Sequence, residues 1–395
     1  MTFSKNTGVG FSTVLQAKRG SGLYPKKILL SILLAGLLIR VFICFFSGLN
    51  NIHTDSHDYF SQADALLQGG YTNFFPNGYP FIIAVVKTVA GAYSIPVLLW
   101  MNIIMSVLII YFCYDIAIKL FNHGNTALLA ACIAAFFPSQ INYVRWLMTE
   151  LPTTFFMLGA YYFYYNRKYW WAGLFLGIAT LVRTEILPVI FLLLLADAVW
   201  QKKLNLRFLL GSLLPLLLAA SYCQYKTGEF SLAGHGKFNI LASITASGSY
   251  VDWHYSEKHP EYDSKAKAVD LYIATFKAQP LNFIKNRLAN LWELWGFYAS
   301  STTSGRTVIT RIVIGLGNLF LIAFGLPAWW RNRKNFNVFV LIFPFVVITL
   351  VHIVFFAMQR YTYPVEPFMI ILAAWTINTF LGRKPLKETY GSTAG

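Results

Sequence analysis

The sequence predicts an all-α polytopic membrane protein with about ten transmembrane helices and outer loops that carry short interfacial helices. Three observations support this fold class. The 395-residue chain is 56% hydrophobic and only 12% charged, whereas soluble proteins have about 25% charged residues. Its apolar residues form runs of about 18 to 25, long enough to cross a bilayer core of roughly 30 Å. The basic residues lie in short segments between those runs.

The apolar runs give approximate limits for the ten spans. They cover residues 28–48, 94–119, 125–141, 148–166, 169–184, 186–200, 206–223, 307–330, 336–357 and 363–381. The fifth and sixth runs are short enough to form a tight hairpin. Residues 80–91 are also apolar, but this segment is too short for a span, and we expect an interfacial helix there.

The basic residues predict how the spans are oriented, because Lys and Arg are enriched in cytoplasmic segments. With a cytoplasmic N-terminus, the inner segments contain Lys18, Arg19, Lys26, Lys27, Lys119, Arg167, Lys168, Lys202, Lys203, Arg207, Arg331, Arg333, Lys334, Arg383, Lys384 and Lys387. The predicted organisation is a cytoplasmic tail 1–27, a transmembrane domain 28–381 and a cytoplasmic tail 382–395. The outer loops are then 49–93 and 224–306. We expect a multi-pass protein of the plasma (inner) membrane.

The net charge of +16 does not indicate a nucleic-acid-binding protein. Such proteins concentrate Lys and Arg in one stripe or patch, whereas here these residues are distributed as topology signals. The four cysteines have no paired spacing, so they predict neither a disulfide framework nor a zinc site.

The first outer loop begins with a polar cluster directly after the first span. Residues 53–59 read HTDSHDY, and charged groups at a membrane surface are costly to bury. A carboxylate of Asp55 or Asp58 can act as a general base toward an acceptor hydroxyl. Alternatively, Asp55, His57 and Asp58 bind a divalent cation that neutralises a phosphate. A third interpretation is a solvated loop in which Asp55 caps a helix.

Arginines recur at the outer ends of the spans, each near a glutamate. They are Arg145 with Glu150, Arg183 with Glu185, and Arg360 with Tyr361 and Glu366. A guanidinium donates two parallel hydrogen bonds to a phosphate, and outer arginines run against the topology trend. We therefore expect these arginines to bind a phosphate. The alternative is that they reach lipid headgroups or pair with the neighbouring glutamates.

Two further polar residues lie inside predicted spans. Arg40 is well inside the first span, where an arginine needs a partner or a water-filled cavity. We expect it to support the acidic loop or to approach a donor phosphate. His352 lies within the ninth span, where a lone histidine is more often a packing residue.

The second outer loop contains an amphipathic segment. From Pro280 it reads PLNFIKNRLANLWELW, with apolar residues at helical spacing and Lys285, Arg287 and Glu293 between them. This pattern predicts a helix on the outer membrane surface with its tryptophans at headgroup level. The alternative is a helix packed on the spans.

These features together resemble the GT-C superfamily of integral-membrane glycosyltransferases. The resemblance is strongest to the branch that contains the protein O-mannosyltransferases and the lipid A aminoarabinose transferase, and it extends over about residues 28–381. The matching motifs, in order, are residues 55–59, Gly78-Tyr79-Pro80, Thr149-Glu150, Gly177 through Arg183-Thr184-Glu185, and Arg360-Tyr361 with Pro364 and Pro367.

The resemblance implies an enzyme that transfers a sugar from a polyprenyl-phosphate donor to a hydroxyl or amine of a glycan, lipid or protein, generally with inversion. Its essential first-loop aspartate maps onto Asp55, which acts as a base or, in some relatives, through a metal. Asp58 is the second catalytic candidate. The donor phosphate maps onto Arg183, Arg360 and Arg145. The further substrate-binding candidates are His57, Tyr59, Glu150, Glu185, Tyr361 and Arg40.

The sequence departs from the protein O-mannosyltransferases at one position, because Ser56 follows Asp55 where many of those relatives have glutamate. No cofactor is required by the resemblance, with a divalent cation as the alternative. We expect a role in cell-envelope glycan biosynthesis.

Two other functions stay open. One is a glycan polymerase or ligase that uses lipid-linked substrates, which favours arginines in a large outer loop. The other is a transporter or flippase without chemistry, which often shows internal repeats and broken helices at the bilayer midplane. Polar residues that cluster at one membrane face favour the enzyme.

Overall fold

The computed structural model describes residues 24–48, 52, 54–72, 74–296 and 305–382. Within those ranges the protein is all-α, with eighteen α-helices and one isolated β-bridge between Ser247 and Tyr250. The all-α prediction is therefore confirmed. His53 and most of the predicted tails 1–27 and 382–395 lie outside the described residues.

The helices are numbered in chain order. They are α1 (Tyr24–Phe45), α2 (Thr54–Leu67), α3 (Gly78–Ala90), α4 (Ser94–Phe121), α5 (Gly124–Phe136), α6 (Pro138–Asn142), α7 (Glu150–Tyr165), α8 (Tyr169–Val182), α9 (Leu187–Trp200), α10 (Leu206–Thr227), α11 (Gly236–Thr245), α12 (Tyr255–Lys258), α13 (Lys265–Ala278), α14 (Pro280–Trp295), α15 (Gly305–Asn332), α16 (Phe336–Val340), α17 (Phe343–Val354) and α18 (Glu366–Leu381). Short 3₁₀ turns link several of them, and the longest, Gln359–Val365, leads directly into α18.

Six helical segments within the described ranges are long and apolar enough to cross a membrane. They are Lys26–Phe45, Gly78–Phe121, Leu206–Thr227, Val308–Asn332, Phe336–Val354 and Gln359–Leu381. The bent pair Gly124–Phe136 and Pro138–Arg145 would give a seventh. All ten predicted runs are largely helical, but α7, α8 and α9 have only 16, 14 and 14 residues. A span needs about 20 residues, so the structure confirms a polytopic protein, and six or seven of the described segments reach that length.

The apolar segment predicted as an interfacial helix is α3, which continues through a 3₁₀ turn into α4. The combined helical stretch, Gly78–Phe121, has 44 residues. At 1.5 Å per residue it is about 66 Å long, roughly twice the thickness of a bilayer core. A single crossing therefore uses only part of the stretch, which allows α3 to project beyond the membrane.

The break after α5 explains the position of Arg40. Proline disfavours a helical conformation in the residue before it, so α5 ends at Phe136, two residues before Pro138. The last carbonyls of a helix lack intrahelical partners and attract cations. The buried Arg40 guanidinium donates to the carbonyl oxygens of Ala135 at 3.0 Å and Ala134 at 3.3 Å. It thus caps α5, whereas the sequence suggested that it supports the acidic loop or approaches a phosphate.

The packing of α8 against α10 fixes the end of α8. A Cβ atom added to Gly177 would lie only 2.5 Å from the backbone oxygen of Ser212, so the two helices touch through their backbones. Small residues permit such close approach between membrane helices. This contact holds the C-terminal end of α8 in place, directly before Arg183.

The turns that carry predicted cytoplasmic basic residues meet at one end of the bundle. The Lys119 ammonium donates to the side chain of Asn166 at 2.6 Å, and the Tyr165 hydroxyl donates to the Asn337 carbonyl at 2.7 Å. These contacts bring together the end of α4, the turn after α7 and the start of α16. The opposite end of the bundle holds the starts of α7, α9 and α18 and the ends of α8 and α17.

The predicted amphipathic helix is α14. Its apolar residues Leu281 and Leu288 are 82% and 61% exposed, whereas Arg287 and Glu293 are buried. The Arg287 guanidinium donates hydrogen bonds to the backbone oxygens of Ser243, Ala246, Val354 and Phe355. The helix therefore packs on the protein largely through polar side chains and presents most of its apolar stripe outward, the face that an interfacial helix turns to the membrane. Of its two tryptophans, Trp292 is 48% exposed and Trp295 is buried.

Candidate active site

A cavity of about 1150 Å³ opens at the end of the bundle opposite the basic turns. Its walls come from α2, from the starts of α7 and α9, from the ends of α8 and α17, and from the 3₁₀ turn before α18. Part of the second outer loop, between residues 231 and 265, closes the remaining side. Segments that lie far apart in the sequence therefore meet at one site.

Asp55 lies in the first turn of α2, where the helix dipole favours a negative charge. Its Oδ2 atom accepts a hydrogen bond from Arg360 Nη2 at 2.5 Å. The Asp55 side chain is 30% exposed, against 14% for Arg360. The pair therefore joins the first outer loop to the turn before α18, with the carboxylate as its more accessible member.

Glu150, the first residue of α7, lies between two arginines. Its Oε1 atom is 3.3 Å from Arg183 Nη1 and 3.6 Å from Arg360 Nε. Its other oxygen, Oε2, is buried and has no hydrogen-bond partner within the described residues. Only 3% of the Glu150 side chain is exposed, so this carboxylate holds both guanidinium groups on their buried side.

Arg183 is held on its other side by Glu185 and Tyr361. Its Nε donates to Glu185 Oε1 at 2.8 Å, and its guanidinium lies 4.7 Å from the centre of the Tyr361 ring. His352 stacks on that ring at 4.3 Å and places Nε2 at 3.5 Å from Glu185 Oε2. Burial acts to raise the pKa of Glu185, but Arg183 and His352 together hold this pKa well below its usual range. Glu185 is therefore a carboxylate.

Gly78 pins the first outer loop against the end of α8. A Cβ atom at this position would lie 2.5 Å from the backbone carbon and oxygen of Leu181, so only glycine permits the contact. The next residue, Tyr79, is buried and packs edge-on against Tyr59 at 5.5 Å. The motif from Gly78 thus sets the distance between α2 and the arginine that follows α8.

The cavity is lined by eight of the eleven site residues predicted from the sequence. They are Asp55, Asp58, Tyr59, Glu150, Arg183, Glu185, Arg360 and Tyr361. The outer loop and the ends of the spans therefore converge as the pattern indicated.

The other three predicted residues lie away from the cavity. Arg40 caps α5, as described above. Arg145 donates to the side chain of Asn142 at 3.3 Å and stacks on Trp146 at 4.9 Å. His57 is exposed on α2 and does not line the cavity. The spacing of Arg145 and His57 along the chain did not reveal the direction of their side chains.

The metal alternative required Asp55, His57 and Asp58 to converge. Across the described ranges, no three His, Cys, Asp or Glu side chains lie close enough together to hold a metal ion. Asp55 instead accepts a hydrogen bond from Arg360, and His57 lies outside the cavity. Asp55, His57 and Asp58 therefore do not form the three-ligand site that the alternative required, and no chemical step below uses a cation.

Several cavity residues were not predicted as site residues. His352 was interpreted as a packing residue, although a histidine near the end of a span whose neighbouring turn carries Arg360 was a usable signal. The second outer loop contributes His235, Trp253 and Lys265. These side chains lie in short helices and turns without a strong periodic pattern, so the sequence did not mark them.

The comparison with protein families finds one match. Residues 76–223 match the family model described as dolichyl-phosphate-mannose-protein mannosyltransferase. This stretch runs from just before α3 into α10 and includes Glu150, Arg183 and Glu185. The comparison with curated protein sequences gives no match.

The chain is also similar to solved structures of the oligosaccharyltransferase AglB from Archaeoglobus fulgidus. For its complex with an inhibitory peptide and a dolichol-phosphate, the TM-score is 0.57 at 16% identity, covering 91% of this chain and 51% of that chain. For the apo form the TM-score is 0.56 at 16% identity, covering 90% and 51%. The chain thus spans about half the length of these structures. At this identity the likeness shows a shared fold, so this protein has the fold of the part of the AglB structures that it covers.

Proposed function

We propose that this protein is a membrane glycosyltransferase. It moves a sugar from a polyprenyl-phosphate donor to a hydroxyl or amine acceptor at the extracytoplasmic face of a plasma (inner) membrane. One observation carries the proposal, namely that two arginines and three carboxylates from separate outer segments form a continuous network in one cavity. The network consists of Asp55, Arg360, Glu150, Arg183 and Glu185.

The two arginines are suited to a phosphate that arrives from the membrane. Guanidinium groups bind phosphate through paired, charge-assisted hydrogen bonds. Glu150 is nearly inaccessible, whereas Asp55 is 30% exposed. A phosphate therefore competes with Asp55 for Arg360 far more readily than with Glu150. Donor binding would weaken the contact between Asp55 and Arg360 while Glu150 keeps both arginines in place.

Asp55 would act as the general base. The acceptor oxygen forms a bond to the anomeric carbon of the sugar as the bond from that carbon to the phosphate oxygen breaks. The acceptor proton goes to Asp55, and the bonding electrons leave with the polyprenyl phosphate. Positive charge develops on the sugar ring, as in glycoside hydrolysis, and negative charge grows on the phosphate. Arg183 and Arg360 stabilise that negative charge in a preorganised site. A single displacement of this kind inverts the anomeric carbon.

Other features support the lipid-linked donor and the location. The cavity lies at the helix ends opposite the basic turns around Lys119 and Asn337, and basic turns favour the cytoplasm. That arrangement supports cytoplasmic termini and an extracytoplasmic site. The similar AglB structure contains a dolichol-phosphate, which supports a lipid-phosphate ligand here.

The experiment is sugar transfer by purified protein in proteoliposomes, supplied with a panel of radiolabelled polyprenyl-phosphate sugars or, in parallel, nucleotide sugars. We expect label to move from at least one lipid-linked donor to membrane or added acceptors. NMR of the product should show that the anomeric configuration is inverted relative to the donor. Transfer from nucleotide sugars alone, or retention of configuration, would contradict the proposal.

A further inference from the structure

His235 lies on the cavity wall formed by the second outer loop, and the chemistry above does not use it. Its position is fixed by the carbonyl oxygen of Phe74, which accepts from the His235 backbone N–H at 3.1 Å. The same oxygen lies 2.7 Å from the ring atom Nδ1. Because a carbonyl only accepts hydrogen bonds, Nδ1 must carry the proton. The ring is therefore held in one tautomer.

This tautomer leaves Nε2 of His235 as an acceptor. Burial lowers the pKa of His235, and the nearby Glu185 and Arg183 act on this pKa in opposite directions. The other charged side chains that line the same cavity are Asp55, Asp58, Glu150, Lys265 and Arg360. No described residue donates a hydrogen bond to Nε2. A neutral imidazole thus offers one lone pair to whatever enters this side of the cavity.

Aromatic rings continue the same wall. Phe238 stacks parallel to Trp253 with ring centres 6.1 Å apart, and Phe356 packs edge-on against Trp253 at 4.9 Å. Phe74 in turn packs against Phe238 at 5.7 Å. The result is an apolar surface beside the acceptor atom Nε2 of His235, and an apolar lining with a few polar groups is typical of small-ligand sites.

The charged network and the aromatic wall differ in what they can bind. The arginines suit a phosphate, whereas the second outer loop contributes no arginine and one lysine, Lys265, to the lining. A sugar ring has an apolar C–H face and a rim of hydroxyl groups. An aromatic ring packs on the C–H face of the sugar, and a neutral histidine accepts a hydrogen bond from one of its hydroxyl groups.

We propose that His235 and Trp253 form the acceptor subsite and that the acceptor is a sugar hydroxyl of a glycan or glycolipid. The inference rests on the proposed function. In it, His235 Nε2 accepts a hydrogen bond from a hydroxyl next to the reacting one, which orients the sugar, while Asp55 takes the proton of the reacting hydroxyl. His235 is thus a positioning residue that determines acceptor specificity.

Two substitutions distinguish the roles of the two ring nitrogens of His235, Nδ1 and Nε2. In His235→Asn the side-chain amide can still donate to the Phe74 carbonyl, but nothing reaches the position of Nε2. In His235→Gln the longer side chain returns a polar atom to that position. The measurement is binding of butyl glycosides of several hexoses to the protein in nanodiscs, by saturation-transfer NMR and titration. A serine-containing peptide and polyprenyl phosphate serve as comparison ligands.

We expect at least one glycoside to bind. His235→Asn should weaken its affinity about tenfold, consistent with the loss of one hydrogen bond in a buried site. His235→Gln should lose about threefold or less, and Trp253→Ala should lose tenfold or more. Polyprenyl phosphate should bind all variants as it binds the wild type. Glycoside binding to the wild type should also weaken at acidic pH, because protonated Nε2 no longer accepts, whereas His235→Gln should lack this dependence.

The inference is overturned if only the peptide binds, if no glycoside binds the wild type, or if His235→Asn binds glycosides normally. It is also overturned if polyprenyl phosphate affinity falls in parallel, since that would indicate a structural role. Because these are binding measurements, they stand apart from the proposed function. Glycoside binding without any sugar transfer would count against the glycosyltransferase proposal alone.

Discussion

Substituting Arg360 by glutamine tests whether this side chain binds the donor phosphate. The guanidinium of Arg360 has two carboxylate neighbours, Asp55 at 2.5 Å and Glu150 at 3.6 Å. Arg183 contacts Glu150 at 3.3 Å and Glu185 at 2.8 Å. Arg360 is therefore paired with the exposed carboxylate of the network, and Arg183 with the two most buried ones. Arg360 is the arginine that a phosphate can recruit most easily.

The expected size of the effect follows from the charged hydrogen bonds to the phosphate that glutamine cannot form. A hydrogen bond to a charged group contributes about 1.5–3 kcal/mol, and about 1.4 kcal/mol corresponds to a tenfold change in affinity. Arg360→Gln should therefore weaken polyprenyl phosphate binding about 10- to 100-fold. Arg183→Gln should have a smaller effect, because the donors of Arg183 are already engaged by Glu150 and Glu185.

The assay is titration of purified protein in nanodiscs with polyprenyl phosphate, which isolates the phosphate contact from the sugar. Arg333→Gln is a matched control, since Arg333 stacks on Trp330 as Arg360 does on Tyr361 but lies at the opposite end of the bundle. We expect the control to bind as the wild type. The reasoning is refuted if Arg360→Gln binds within threefold of the wild type, or if the control loses as much affinity.

The remaining predictions concern the elements that hold the site. Gly78→Ala places a Cβ against the Leu181 backbone and should cost about 1–3 kcal/mol of stability together with most of the transfer activity; a normal thermal midpoint would contradict this. Burial raises the pKa of Glu293 to about 7 from 4.5. The unfolded state therefore ionises first, and stability falls as pH rises through that window. Glu293→Gln should raise stability by roughly 1–3 kcal/mol at pH 8 and change little at pH 4.5, as measured by thermal unfolding in detergent; an equal effect at both pH values would argue against a buried neutral carboxyl. Arg287→Gln removes hydrogen-bond donors from four backbone carbonyls. It should lower the thermal midpoint but leave polyprenyl phosphate binding, which Arg360→Gln weakens, as in the wild type. An unchanged midpoint would show that these hydrogen bonds contribute nothing to stability.

The sequence could predict that the charged residues lie together, because each follows or begins an apolar run. Glu150, Arg183 and Arg360 each lie at the end of such a run, and antiparallel helices bring those ends to the same end of the bundle. Their contacts with one another then follow from helix packing, as the structure shows. This reasoning fails for a residue that lies inside a span or that has a hydrogen-bond partner close to it in the structure. Arg40, for example, donates hydrogen bonds to the carbonyl oxygens that the break after α5 leaves without intrahelical partners.

The second outer loop could not be predicted from periodicity alone. The periodicity of apolar residues correctly predicted that α14 is a helix. It does not reveal whether the apolar or the polar face of that helix packs on the protein. Arg287 decides this by binding carbonyls that only the folded chain assembles. His235 likewise becomes informative only through the Phe74 carbonyl, which lies 161 residues earlier in the chain.

The central claim is that Asp55 accepts the acceptor proton, and sugar transfer by Asp55→Asn tests it most directly. The matched control is Asp64→Asn, because Asp64 lies on the same helix α2 but pairs with Lys87 and does not line the cavity. Both variants would be assayed in proteoliposomes with the donor that the wild type uses. We expect Asp55→Asn to lose about 100-fold or more in turnover, as for other positioned bases, with polyprenyl phosphate binding retained and Asp64→Asn fully active. Turnover of Asp55→Asn near that of the wild type would contradict the account and remove Asp55 from the mechanism.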